Sequence, residues 1–103
     1  MSEQIQFQNF GEFYKFYLSE HCDRTCRRLH FAGSTGGLIC LVAFFVTFDW
    51  YLIPLGLFIG YGCAWIGHFF FEHNKPASFK YPLYSFAGDW VMFKDILIGR
   101  IRF

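Results

Sequence analysis

The sequence predicts an all-α fold: a two-helix transmembrane hairpin with N- and C-terminal amphipathic interfacial helices. Three observations predict it. The 103 residues are 54% hydrophobic and 24% aromatic, with sixteen Phe, more apolar surface than a chain of this size hides from water by itself. Between residues 29 and 71, Asp49 is the only Asp, Glu, Lys or Arg; it divides the run into two stretches of about 20 residues, each about 30 Å long as helix. Charged residues flank that run, in segments whose apolar positions recur with a helical period. A net charge of +1 gives no case for nucleic acid, and the length suits a single membrane-embedded domain over 1–103.

Residues 1 to 8 form a short polar lead. Asn9 then caps a helix predicted over 9–21, with Glu12 in the N3 position of a capping box. Phe10, Phe13, Tyr14, Tyr17, Leu18 and His21 share its apolar face. Such a helix lies flat on a bilayer or packs on a core. Cys22-Asp23 breaks the chain, and Asp23 caps a second helix over 24–48 that carries Arg24, Arg27 and Arg28 in its first turns. Thr47 to Tyr51 reads as a turn with interfacial aromatics, and Pro54 suits the first turn of a third helix over 53–72. That helix is apolar on all sides, as a spanning or buried helix must be. Pro82 is expected to hold residues 77–85 away from helix. A last amphipathic helix follows over 88–101, with Asp89 as its N-cap or first residue.

Charge placement gives an orientation. All nine Lys and Arg lie outside residues 29–71, so the positive-inside bias puts both termini in the cytoplasm. The expectation is an integral membrane protein, of the inner membrane if bacterial and of the ER if eukaryotic. No secretory signal is expected, because residues 1 to 25 are amphipathic and charged. The four Cys do not form a disulfide framework and read as reduced. The competing fold is a soluble helical hairpin with a greasy core, which periodicity alone does not separate from a spanning one. Small residues Gly33/Gly37 and Gly56/Gly60 form faces suited to close helix packing, and a homodimer joined through them is expected.

The polar groups converge in this scheme. An antiparallel hairpin sets the start of the second helix, with His30, beside the end of the third, with His68. His21 precedes the second helix by a short break, while Glu72 and His73 follow His68 directly. Four imidazoles and one carboxylate thus gather at one level. Three neutral imidazoles, or two plus a carboxylate, suit Fe(II), Zn or a similar ion, with open positions for O₂ or substrate. His73 is the weakest ligand candidate, being five positions from His68 and off its helical face. Glu72 is a candidate ligand, a support for the ligands, or a partner of Arg27, Arg28 or Lys75. Cys22, Cys26 and His30 fall at i, i+4, i+8 and offer a second, thiolate-rich arrangement.

Several strings resemble a known family. Phe13-Tyr14-Lys15-Phe16-Tyr17-Leu18 with His21, then Arg28-Leu29-His30, then Gly67-His68 through Phe71-Glu72 and Pro76-Ala77 resemble the small membrane proteins related to the yeast 2-hydroxy fatty acid dioxygenase. That enzyme acts in converting phytosphingosine to odd-numbered fatty acids. The resemblance covers about residues 10 to 95. It implies an Fe(2+)-dependent α-oxidation, in which O₂ and a 2-hydroxy fatty acid react, the C1–C2 bond breaks and the chain shortens by one carbon. It also implies that His21, His30 and His68 hold the iron; no family role carries over to His73. Arg24, Arg27, Arg28 and Lys75 are candidates to hold the substrate carboxylate.

Two other functions compete at this stage. One is a b-type haem protein for electron transfer, with His30 and His68 as axial ligands. The other is a metal-free membrane hairpin whose glycine faces drive assembly.

Overall fold

The computed structural model of the chain describes residues 7–103. The polar lead expected over residues 1 to 8 therefore lies, for residues 1–6, outside the described residues. The architecture is all-helical: α1 (Phe10–Ser19), α2 (Arg24–Thr47), α3 (Leu52–Ile66) running into a π-helical turn (Gly67–Glu72), a 3₁₀ turn (Ala77–Phe79) and α4 (Pro82–Leu97).

Local chemistry sets the boundaries. The Asn9 side chain accepts from Glu12 N at 2.9 Å, as expected, while Glu12 reaches back to Gln8 N at 3.0 Å, one residue before the N-cap N–H that a capping box uses. The helix ends at Ser19 rather than at residue 21, so His21 stands in the break beyond it. Asp23 caps α2 by accepting from Cys26 N at 2.9 Å. Phe48 closes α2 in a left-handed conformation, φ 58°. The prediction for the last helix needs correction. Pro82 does not exclude helix; it opens α4 at the N-terminal position that has no use for an N–H. Asp89 is consequently mid-helix, not a cap.

The helices α2 and α3 form an antiparallel hairpin in backbone contact. A Cβ on Gly33 would stand 2.9 Å from the Gly60 carbonyl oxygen, and one on Gly37 would stand 3.3 Å from that of Gly56. The glycine faces expected to join two copies are therefore occupied within one chain. α2, and α3 together with its π-helical turn, are long and apolar enough to cross a membrane, and only 17% of each apolar window is buried inside the chain. Large side chains such as Val46 and Phe58 stay 75% and 76% exposed, a surface suited to contact with lipid.

The two amphipathic helices turn their apolar faces on each other. Phe13 and Tyr17 of α1 pack against Met92 and Ile96 of α4, with Ala77 completing the cluster. This small core sits at the open end of the hairpin, away from the Phe48–Tyr51 turn. It clamps the break that carries His21 onto the ends of α2 and α3.

Candidate metal centre

Three elements deliver one imidazole each. His21 comes from the break after α1, His30 from the second turn of α2, and His68 from the π-helical turn that ends α3. All three are buried, with exposures of 2%, 5% and 1%. The Nε2 atom of His21 lies 3.1 Å from that of His30 and 3.0 Å from that of His68. Ring centroids are 4.4, 4.5 and 5.0 Å apart, with the planes nearly perpendicular.

The other ring nitrogens fix the tautomers. His21 Nδ1 faces the Tyr17 carbonyl oxygen at 2.6 Å, and His30 Nδ1 faces that of Cys26 at 3.1 Å. A carbonyl only accepts, so each Nδ1 carries the proton. His68 Nδ1 meets Asn74 Oδ1 at 2.6 Å, while Asn74 Nδ2 donates to the Glu20 carbonyl oxygen at 3.1 Å. The amide orientation that satisfies both contacts makes Oδ1 an acceptor and puts the His68 proton on Nδ1 as well. The His21 Nε2 lone pair then faces those of His30 and His68 in a buried space. Such an arrangement is repulsive unless a cation sits among them.

The donor set fits a metal ion. Nitrogens each about 2.1 Å from one ion stand about 3.0 Å apart at a right angle and about 3.4 Å apart at the tetrahedral angle. The His21 spacings of 3.0 and 3.1 Å fall at the short end of this range, and one ring nitrogen from each of the three histidines lies within 4.8 Å of the others, so His21, His30 and His68 would hold one ion between them. Burial, and then the adjacent His30 ring, hold the His21 imidazole well below its usual 6.5, in the neutral form that ligates.

The π-helical turn makes this position for His68. Its widened backbone ends at His73, whose φ of 62° is left-handed and whose N–H reaches the His68 carbonyl oxygen. Asn74 N donates to the same oxygen at 3.0 Å. His68 is thus tied to residues 73 and 74 through both backbone and ring. Gly67 lets this turn lie against α2, since a Cβ there would be 3.0 Å from Cys26 Sγ. Insertions of this type recur at functional sites in helices.

The other candidates sit elsewhere. Glu72 does not join the imidazoles: its carboxylate accepts from Asp23 N at 2.7 Å and Cys22 N at 3.1 Å. It pins the break to the end of the hairpin, at the positive pole of α2. His73 is exposed and serves as the terminating residue of the turn. Arg27 donates to the carbonyl oxygens of His21 and Cys22, and Arg28 to that of Phe103 while lying over its ring. Both arginines hold main chain. Arg24 and Lys75 are exposed. Cys26 Sγ approaches His30 Nδ1 at 3.8 Å, and Cys22 is exposed; the thiols do not gather with the imidazoles, so the thiolate-rich arrangement is not formed.

Two residues of the site were missed because α4 starts earlier than expected. Ser85 and Asp89 stand one turn apart on its buried side. They face a void of about 10 Å³ that the three imidazoles and Tyr61 also line, room for about one water molecule. Ser85 is 2% exposed, and its Oγ has no hydrogen-bond partner. The Tyr17 hydroxyl donates to Asp89, and burial raises the Asp89 carboxyl to about 6. An apolar groove of about 180 Å³ runs along α2, α3 and α4, lined by Leu41, Leu57, Phe86 and Trp90 among others. Tyr61 and Asp89 line both spaces. Serine and aspartate on the Ser85–Gly88–Met92–Ile96 stripe are the signal that an earlier start for α4 would have exposed.

A family model described as 2-hydroxy-palmitic acid dioxygenase Mpo1-like matches residues 7–101, nearly the whole chain. No curated protein and no solved structure matches it.

Proposed function

The chain belongs to this Mpo1-like family, and on that premise we propose that its three-histidine centre holds one Fe(II) ion and shortens 2-hydroxy fatty acids by one carbon. The observation that carries the proposal is the convergence of three buried Nε2 atoms whose protons are held elsewhere. Three histidine ligands leave coordination positions open, which suits iron that must admit O₂ and substrate. When bound, the ion supplies O₂ activation beside the substrate. The balance is closed by the reactants: one hydroxy acid and one O₂ give the acid one carbon shorter, CO₂ and water. The substrate supplies all four electrons, so no 2-oxoacid co-substrate is required.

The chain's own groups do the positioning. The Tyr17 and Cys26 carbonyls and the Asn74 side chain orient the imidazoles and keep Nε2 free to ligate. The apolar groove takes the acyl chain. Leu57 lies eleven residues before His68, about 16 Å along the helix. An extended alkyl chain, at roughly 1.25 Å per methylene from C–C bonds of about 1.5 Å, spans that distance with about 13 carbons. Arg24 and Lys75, at the basic end of the hairpin, attract the carboxylate from the headgroup layer. That end faces the cytoplasm, as the distribution of Lys and Arg favours.

The two other readings fare less well. A haem needs a flat gap between its axial ligands, but the His30 and His68 rings are 5.0 Å apart and edge to face, with His21 against both. A metal-free scaffold would leave three buried lone pairs opposed.

The test is anaerobic loading of the purified protein with Fe(II), followed by O₂ and 2-hydroxypalmitate. The expected product is the acid one carbon shorter, absent with His68→Ala. No shortened product from iron-loaded protein, or equal turnover by His68→Ala, contradicts the proposal.

A further inference from the structure

The part of the void lined by α4 has no role in holding a metal, yet it is not inert. Ser85 is 2% exposed and its Oγ lacks any hydrogen-bond partner. A buried hydroxyl in that state has given up its hydration for nothing in return. The void it lines is also lined by His21, His30 and His68, and by Asp89 one turn along α4. The apolar groove along α2 and α3 adjoins the void, with Tyr61 and Asp89 lining both spaces, and is the approach a ligand would use. A ligand that travels this route and satisfies Ser85 must be an apolar molecule with a polar end.

The chemistry of α4 narrows that end further. Ser85 offers a donor and Asp89 an acceptor, spaced i, i+4 on one face. A hydroxyl accepts from the first and donates to the second. A carboxylate placed there would meet the Asp89 carboxylate instead.

We propose that Ser85, with Asp89, recognises the 2-hydroxyl of the substrate and makes the centre selective for 2-hydroxy acids over plain fatty acids. This rests on the substrate reading given above. Selectivity arises because an analogue without the hydroxyl leaves Ser85 unpaired, and a site built around a hydroxyl rejects such analogues strongly. Ser85 acts here through binding, with no covalent step.

Dissociation constants for 2-hydroxypalmitate and palmitate, measured by anaerobic calorimetry on the purified protein in nanodiscs, test this without turnover. Wild type should prefer the hydroxy acid. Ser85→Ala should reduce that preference by about tenfold, the worth of one lost hydrogen bond, with palmitate affinity unchanged. The substitution removes only an unpaired hydroxyl, so folding is not at risk, and an unaltered thermal transition verifies this. An undiminished preference in Ser85→Ala overturns the role of Ser85 alone. Equal affinity of wild type for the two acids overturns the substrate reading together with it.

Discussion

The Nδ1 atom of His68 and the Oδ1 atom of Asn74 stand 2.6 Å apart. This pair joins the π-helical turn to the break after α1, because Asn74 also donates to the Glu20 carbonyl oxygen. It sets the His68 tautomer and its ring angle together. Replacing Asn74 with Leu should weaken metal affinity by about 10–100-fold, the usual loss when a ligand's outer partner is removed. A chelator-competition titration measures it, with Asn74→Asp, which keeps an acceptor, close to wild type. Unchanged affinity in Asn74→Leu would mean that the pair does not support the centre.

Glu72 has a structural role beside the site. Its carboxylate holds the main-chain N–H groups of Cys22 and Asp23, which fixes the segment carrying His21. Glu72→Ala should lower stability by about 1–3 kcal/mol, as loss of a charged acceptor to two N–H groups implies. Metal stoichiometry at saturating ion should persist. Denaturation in detergent and metal analysis read the two effects separately; loss of stoichiometry with stability intact would instead make Glu72 a ligand.

The hairpin depends on glycine at some positions and not at others. Gly33→Ala places a Cβ 2.9 Å from the Gly60 oxygen and should destabilise by roughly 1–3 kcal/mol through overpacking against backbone. Gly62, whose Cβ would meet nothing within 4 Å, should accept Ala with a gain of up to about 1 kcal/mol from helix propensity. Thermal unfolding of the two variants should move in opposite directions, and similar shifts would refute the packing described.

Much of this arrangement is legible in the sequence. Asn9 and Asp23 announce helix starts, and Asp49 marks the turn of the hairpin. Once the hairpin is antiparallel, His30 and His68 must share a level, and a break of a few residues brings His21 to the same place. The remainder is illegible for identifiable reasons. The π-helical turn has no apolar period of its own, so the pattern reads as a continuous helix through residue 72. That hid the assignment of Glu72 to the break and of His73 to the left-handed terminus. Pro82 reads equally as a helix breaker and a helix opener, and read as a breaker it leaves Ser85 outside the helix and makes Asp89 a cap. Glycine stripes signal close packing without saying whether the partner is the same chain or another.

Asp89 carries a pH signature. Burial raises its carboxyl from 3.8 to about 6 in the folded chain, so the folded state binds this proton more tightly. The stability it contributes is full below about pH 4 and is lost as pH rises through about 6. Asp89→Asn keeps an acceptor for Tyr17 and removes the burial penalty. It should exceed wild type by on the order of 1–3 kcal/mol near pH 7.5, a difference that vanishes towards about pH 4. The His21 contribution runs the other way: its neutral form is favoured, and stability falls as pH drops below 6.5. Being common to both proteins, it cancels in the comparison. Parallel stability–pH curves for the two proteins would contradict a raised Asp89.

Three imidazoles from distant parts of the chain are proposed to share one ion. Metal content and X-ray absorption of protein purified without oxygen and reconstituted with Fe(II) test it most directly. One iron per chain, with three histidine nitrogens at about 2.1 Å, is predicted. His21→Ala, His30→Ala or His68→Ala should each remove it, while His73→Ala should not. Iron far below one per chain, or full occupancy after loss of any of the three, would contradict the account.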